Sequence, residues 1–200
     1  MKNYDIPTLT SEAVSLLQSL IAIPSISREE EKAADFLQTY IEQQGMNTGR
    51  KGNNVWCLCP GFDLKKPTLL LNSHIDTVKP VNGWRKQPFT PSLGTNGKLY
   101  GLGSNDAGAS VVSLLQTFLY LCRTQQTYNL IFLASCEEEV SGKGGIECIL
   151  PELPPIDFRH CRRTYRNAAS HCRKRIDGTG CNSHRTCRPC SPQRRRQCYI

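Results

Sequence analysis

Large apolar residues all but stop at Phe158, and no motif constrains the fold of this chain as much. Residues 159–200 contain no Leu, Val, Phe, Met or Trp, so they offer almost nothing to a hydrophobic core. The core must come from residues 1–158, enough for one domain of ordinary size. Charge breaks at the same place. The whole chain carries a formal +8 with a pI near 9.0, which suggests a polyanionic partner until it is divided. Residues 1–158 hold 13 Lys/Arg against 16 Asp/Glu, while residues 159–200 hold 12 Lys/Arg against Asp177 alone. Six of the 11 cysteines and three of the four histidines also fall in the second part. The expected organisation is therefore a folded part over 1–158 and an unstructured basic Cys/Arg-rich tail over 159–200.

The start, MKNYDIPTL, has no basic segment leading into an apolar run, so no secretory signal is expected. No stretch approaches 18 apolar residues, which argues against a membrane partner. Cys57, Cys59, Cys122, Cys136 and Cys148 sit in apolar contexts without metal-type spacing, as free thiols of a cytoplasmic protein do.

Ala13, Leu16, Leu17 and Leu20 recur at helical spacing, widened by Val14 and Ile21, behind Thr10 and Ser11 as caps and ahead of Pro24. Ser27-x-x-Glu30 reads as a capping box opening a second helix with Ala33, Phe36, Leu37 and Tyr40 on its apolar face. Gly45 is placed to end that helix. Three short apolar runs follow as strands: NVWCLC (54–59), TLLLN (68–72) and NLIFLAS (129–135). The last two are continuous rather than alternating, the pattern of strands buried on both faces. ASVVSLLQTFLYLC (109–122) between them predicts a buried helix. Strands alternating with helices predict an α/β fold, a layered and largely parallel sheet with flanking helices.

Ligands of open α/β sheets bind beyond the carboxyl ends of the strands, and three polar clusters fall near such ends. His74 and Asp76 follow TLLL, Asp106 lies in a Gly-rich loop before the helix, and Glu137, Glu138 and Glu139 follow LIFL. Residues two apart on extended backbone share a side, so Asp76 can orient the His74 ring or ligate beside it. Three adjacent glutamates repel unless some of them bind a cation or hold a proton. One imidazole with several carboxylates suits Zn, Mn or Co. Taken singly each cluster also has a plain reading: a surface His-x-Asp pair, a glycine turn, a solvated acidic loop. A dinucleotide cradle is poorly supported, because the loop lacks the full G-x-G-x-x-G pattern. From spacing, the reading stops at a metal hydrolase.

Four stretches in order, LIAIPSIS, LLLNSHIDTV, YGLGSNDAGAS and CEEEVSGKGGIE, give a more specific likeness over residues 10–158. Together they resemble the zinc aminoacylase/carboxypeptidase family of acetylornithine deacetylase, succinyl-diaminopimelate desuccinylase and carboxypeptidase G, above all its acetylornithine deacetylase-like branch. NDAGAS departs from the Asp-x-Lys-Gly-Gly form of many members. The resemblance implies that His74 ligates one metal while Asp76 orients it, that Asp106 bridges two metals, and that Glu139 ligates the second. Glu138 would be the general base, with a register inside Glu137–Glu139 open to a slip of one. It further implies two zinc ions (Co or Mn as alternatives) and hydrolysis of a small N-acyl amino acid, N-acetylornithine first. Desuccinylase or dipeptidase activity are the alternatives within the family, and intact relatives are expected to be homodimers.

By the same resemblance a strand and a Gly-Glu-Pro-Thr motif should follow PPIDF, then a lid domain and a late ligand histidine. RHCRRTYRNAASHCRKR stands there instead. Read one nucleotide later, the genetic code permits AIVGEPTGM across 159–167 and LDVTATGHAGHA across 179–190. A frameshift near residue 159 is therefore expected, and with it a truncated chain that is inactive or nearly so. Two other classes stay open. Cys181-x-x-His184-x-x-Cys187-x-x-Cys190 could form a zinc or nucleic-acid module, although the spacing fits no standard finger and the tail lacks core residues and stacking aromatics, so nucleic acid is not the expected partner. A non-catalytic interaction fragment is the other.

Overall fold

The computed structural model describes residues 5–160 and the backbone of 161, 164–165 and 168–169. The expectations placed on the rest of the tail, including the frameshift and the Cys/His module, lie outside the described residues. The elements run α1 (Ile6–Ala22), α2 (Glu31–Gln43), β1 (Thr48–Lys51), β2 (Asn54–Leu58), β3 (Thr68–His74), a small hairpin of β4 (Ser92–Leu93) and β5 (Leu99–Tyr100), α3 (Ala109–Leu121), β6 (Asn129–Ser135), α4 (Ile146–Ile149) and β7 (Phe158–Cys161). No helix among the described residues is long and apolar enough to cross a membrane.

Strands β1-β2-β6-β3-β7 form one sheet in that order. β3 pairs in parallel with both β6 and β7, whereas β2 runs antiparallel to β1 and β6. Four of the five strands therefore point the same way, giving the mixed but mostly parallel sheet of the expected α/β class. β6 is buried along its whole length. Leu130, Phe132 and Ala134 face the core built by α1, α2 and α3, and Ile131 and Leu133 face a smaller cluster with Ile149 and Leu153. Apolar cover on both faces is why this strand reads as an unbroken run. The sheet crosses the composition break: β7 begins at Phe158, and the Arg159 guanidinium donates to Asn72 Oδ1 at 2.9 Å.

Two helix starts differ from expectation. α1 begins ahead of Thr10 and Ser11 because Asp5 caps it, its carboxylate accepting the Thr8 N–H at 2.8 Å. Thr10 instead donates back to Ile6 O inside the helix, and Val14 stands outside the buried stripe at 39% exposure. The Ser27/Glu30 capping box does not form. α2 has no side-chain cap, and Ser27 donates to Asp76 Oδ2 at 2.7 Å. A buried carboxylate is a stronger acceptor for that hydroxyl than a helix terminus is a donor partner. The five cysteines of the described part are free thiols. Burial pushes the Cys57 and Cys136 thiols up to about 12.

Candidate metal centre

β3 and β6 end level with each other, His74 opposite Ser135, and Ile75 N–H extends the ladder to Ser135 O at 2.9 Å. The loops leaving these strands, with Ile75–Thr77 after His74 on one and Cys136–Glu139 on the other, therefore emerge side by side. The third loop, Gly101–Gly108, lies between β5 and α3 and brings Asp106 to the same edge. Ligand atoms of His74, Asp106 and Glu139 lie within 4.8 Å of one another, the one such group among the described residues.

His74 is 4% exposed, and its two ring nitrogens have different neighbours. Nδ1 lies 3.2 Å from the Asp76 carbonyl oxygen and 3.3 Å from Asp76 Oδ1. Nε2 faces Asp106 Oδ1 at 3.2 Å and Glu138 Oε2 at 3.8 Å. A proton on Nδ1 directed at Asp76 leaves the Nε2 lone pair for the acidic side, the arrangement a ligating imidazole needs. With no cation present, burial alone would lower the His74 pKa. Hydrogen bonds to Asp106 and Asp76 outweigh burial and hold it at about 9.

Asp76 is fully buried and reaches four donors: the His74 ring, the Ser27 hydroxyl, and the N–H groups of Glu138 (3.1 Å) and Glu139 (3.0 Å). Burial pushes its pKa up, but the bonds from His74, Glu139 N–H and Ser27 prevail and lower it, so the carboxylate stays ionised. Glu139 behaves oppositely. Burial first, then the charge of Asp106, raises its pKa, partly offset by His74.

The three adjacent glutamates separate. Glu137 turns away: its Oε2 accepts the Gly144 N–H at 3.3 Å and lies 4.0 Å from Arg28 Nε. Side chains at Gly142 or Gly144 would collide with its carboxylate, so the glycines of SGKGG leave it room. Glu138 and Glu139 face His74 and Asp106. Of the five residues given roles by the resemblance, His74, Asp106 and Glu139 thus form the cluster, Glu138 borders it, and Asp76 stands behind His74. Sequence reasoning missed two supports. The spacing of Ser27 and Glu30 cannot distinguish a capping box from two residues that reach across to other loops.

The donor set suits a divalent cation. Four carboxylates, of Asp76, Asp106, Glu138 and Glu139, surround one imidazole, and burial, then the charges of Asp106 and Asp76, raise the Glu139 pKa. The set holds nitrogen and oxygen donors without thiolate, as Zn, Mn or Co sites of this type do.

Comparison with known proteins agrees with this geometry. The chain is 31% identical over 144 residues to an Emericella nidulans protein named Probable carboxypeptidase, covering 67% of this chain and 32% of that protein. It is 30% identical over 158 residues to the succinyl-diaminopimelate desuccinylase of Caulobacter sp. (strain K31), covering 75% and 40%. The fold matches the Bacillus subtilis YXEP protein, a dinuclear metal binding peptidase from the M20 family, with a TM-score of 0.63 at 14% identity over 82% of this chain and 45% of that one. The chain spans about a third to two fifths of the length of the curated relatives it matches. Residues 70–167, which contain all three clusters, match Peptidase family M20/M25/M40 and form a domain of that family.

Proposed function

We propose that this domain serves metal-dependent hydrolysis of the amide bond of a small N-acyl amino acid. The observation that carries the reading is the meeting of His74, at the end of β3, with Asp106 and Glu139, from two separate loops, within 4.8 Å at the sheet edge. His74 would hold a cation through Nε2, and Asp106 and Glu139 through carboxylate oxygens. A second cation is proposed by analogy with the dinuclear peptidase. A divalent cation bound here would polarise an acyl carbonyl and acidify water.

The chain's own residues supply the rest. Asp76 fixes the His74 ring so that Nε2 stays presented to the cluster. Glu138 has a partly open side chain, 29% exposed, beside that nitrogen. It would take a proton from the attacking water and deliver it to the leaving nitrogen. Water oxygen bonds to the acyl carbon, the C–N bond breaks, and the products are a carboxylate and a free amine. The motif resemblance supports N-acetylornithine as substrate. The similarity to desuccinylases supports an N-succinyl amino acid, and dipeptides come third.

We also propose that the 200-residue chain binds the cation but turns substrate over at a small fraction of a full-length relative's rate. Hydrolysis of N-acetylornithine, N-succinyl-diaminopimelate and dipeptides is measured beside such a relative, with cation binding followed in parallel in wild type and His74→Ala. Cation binding lost with His74→Ala is the expected result. Binding untouched by that substitution would remove the centre, and brisk turnover by the chain itself would remove the second proposal.

A further inference from the structure

β6 ends at Ser135, and the acids begin two residues later. Were the backbone to continue extended, Glu137 and Glu139 would share one side and Glu138 would point to the other. Instead Glu137 adopts the left-handed conformation, φ 54°, and both Glu138 and Glu139 arrive beside His74 and Asp106. A non-glycine residue keeps that conformation only where its surroundings impose it.

The surroundings include a carboxylate from a distant part of the chain. Glu30, just ahead of α2, is 0% exposed. Its Oε1 accepts the Glu137 N–H at 3.2 Å and the Arg28 N–H at 2.7 Å, and its Oε2 accepts Asn53 Nδ2 at 2.9 Å. Asp76 takes the next two N–H groups, those of Glu138 and Glu139. Three consecutive backbone donors are thus held by two buried carboxylates, and Glu30 holds the one at which the chain turns.

We propose that Glu30 is a positioning residue for the metal centre: it holds the turn at Glu137 that lets two adjacent acids reach one point. The inference rests on the metal-centre reading for its consequence, but its structural half can be measured separately. Removing Glu30 releases the turn, returns Glu138 and Glu139 toward alternation, and spreads the donor set.

The test uses the 200-residue chain as wild type, Glu30→Ala, Glu30→Gln, His74→Ala and Leu119→Ala, the last a core control in α3. Mn(II) binding is titrated by loss of the free-ion EPR signal, since Mn(II) prefers oxygen and nitrogen donors to the cysteines of the tail. Amide hydrogen exchange is followed over residues 136–140. Glu30→Ala should weaken Mn(II) by about tenfold or more, in the range of outer-sphere partners of metal ligands. It should also deprotect the 137–139 amides. Glu30→Gln, which retains one acceptor oxygen, should fall between it and wild type. Leu119→Ala should lower the melting temperature while leaving Mn(II) affinity within about twofold, being remote and without a shared partner. If Glu30→Ala binds Mn(II) like wild type and keeps its 137–139 protection, the inference is overturned. Should wild type bind no Mn(II) through His74, the metal reading falls, and exchange over 137–139 alone decides the role of Glu30. If Glu30→Ala does not fold, the same two readouts on Glu30→Gln decide it.

Discussion

Asp76 shows how much of this site depends on a residue with no exposed surface. Its fully buried carboxylate satisfies the His74 ring, the Ser27 hydroxyl and two backbone N–H groups. Truncation to alanine leaves those donors dry and the histidine without its orienting partner. Breaking such buried, charge-assisted contacts costs about 3 kcal/mol or more. Asp76→Ala should therefore lower the unfolding free energy of the metal-free chain by that amount, read from the shift in its urea midpoint, and a loss below about 1 kcal/mol would contradict the hub role. At this scale His-x-Asp was legible, because a two-residue spacing at a strand end forces proximity. Ser27 was not legible as a partner of Asp76, since 49 residues separate them and only the pairing of Ser25–Ser27 with Thr77 brings them together.

Among the elements, α2 has the clearest terminus. Gly45 N–H donates to Glu42 O at 2.8 Å and Met46 N–H to Ile41 O at 3.4 Å, the paired closure of a Schellman motif. Gly45 adopts φ 81° with open space around a would-be Cβ, so Gly45→Ala tests backbone conformation apart from packing. A loss of about 1 kcal/mol is expected in chemical unfolding, the cost of a left-handed Cβ. A neutral result would mean that the helix end relaxes. The C-terminus of α2 could be read from its glycine because the left-handed position is a property of one residue. The N-termini of α1 and α2 could not, because Ser, Thr and Asp near a helix start compete for several donors and acceptors. Which one wins depends on what else is within reach, Asp76 in the case of Ser27. β1 and the β4–β5 hairpin were invisible for a related reason: TGRK and two-residue strands carry no apolar pattern of their own.

For the molecule as a whole, the proposed centre would couple metal uptake to folding, since His74, Asp106 and Glu139 come from separate segments that only the assembled sheet aligns. A ligand bound to the folded form at a hundred times its dissociation constant adds about 2.7 kcal/mol. Mn(II) should therefore raise the melting temperature of the 200-residue chain by roughly 5–10 °C, given a few degrees per kcal/mol for a domain of this size. EDTA should reverse the shift and His74→Ala should abolish it. An unchanged melting temperature with saturating Mn(II) would mean that the three segments do not act as one site. The amino-acid sequence alone determined the α/β class, the two strands buried on both faces and the identity of the acids and histidine, because burial pattern and donor chemistry are local properties. Tertiary structure alone decided that β3 and β6 finish level, that Glu137 turns away while Glu138 and Glu139 turn in, and that Glu30 and Asp76 hold them there. Those outcomes depend on contacts between residues tens of positions apart, which no local periodicity encodes.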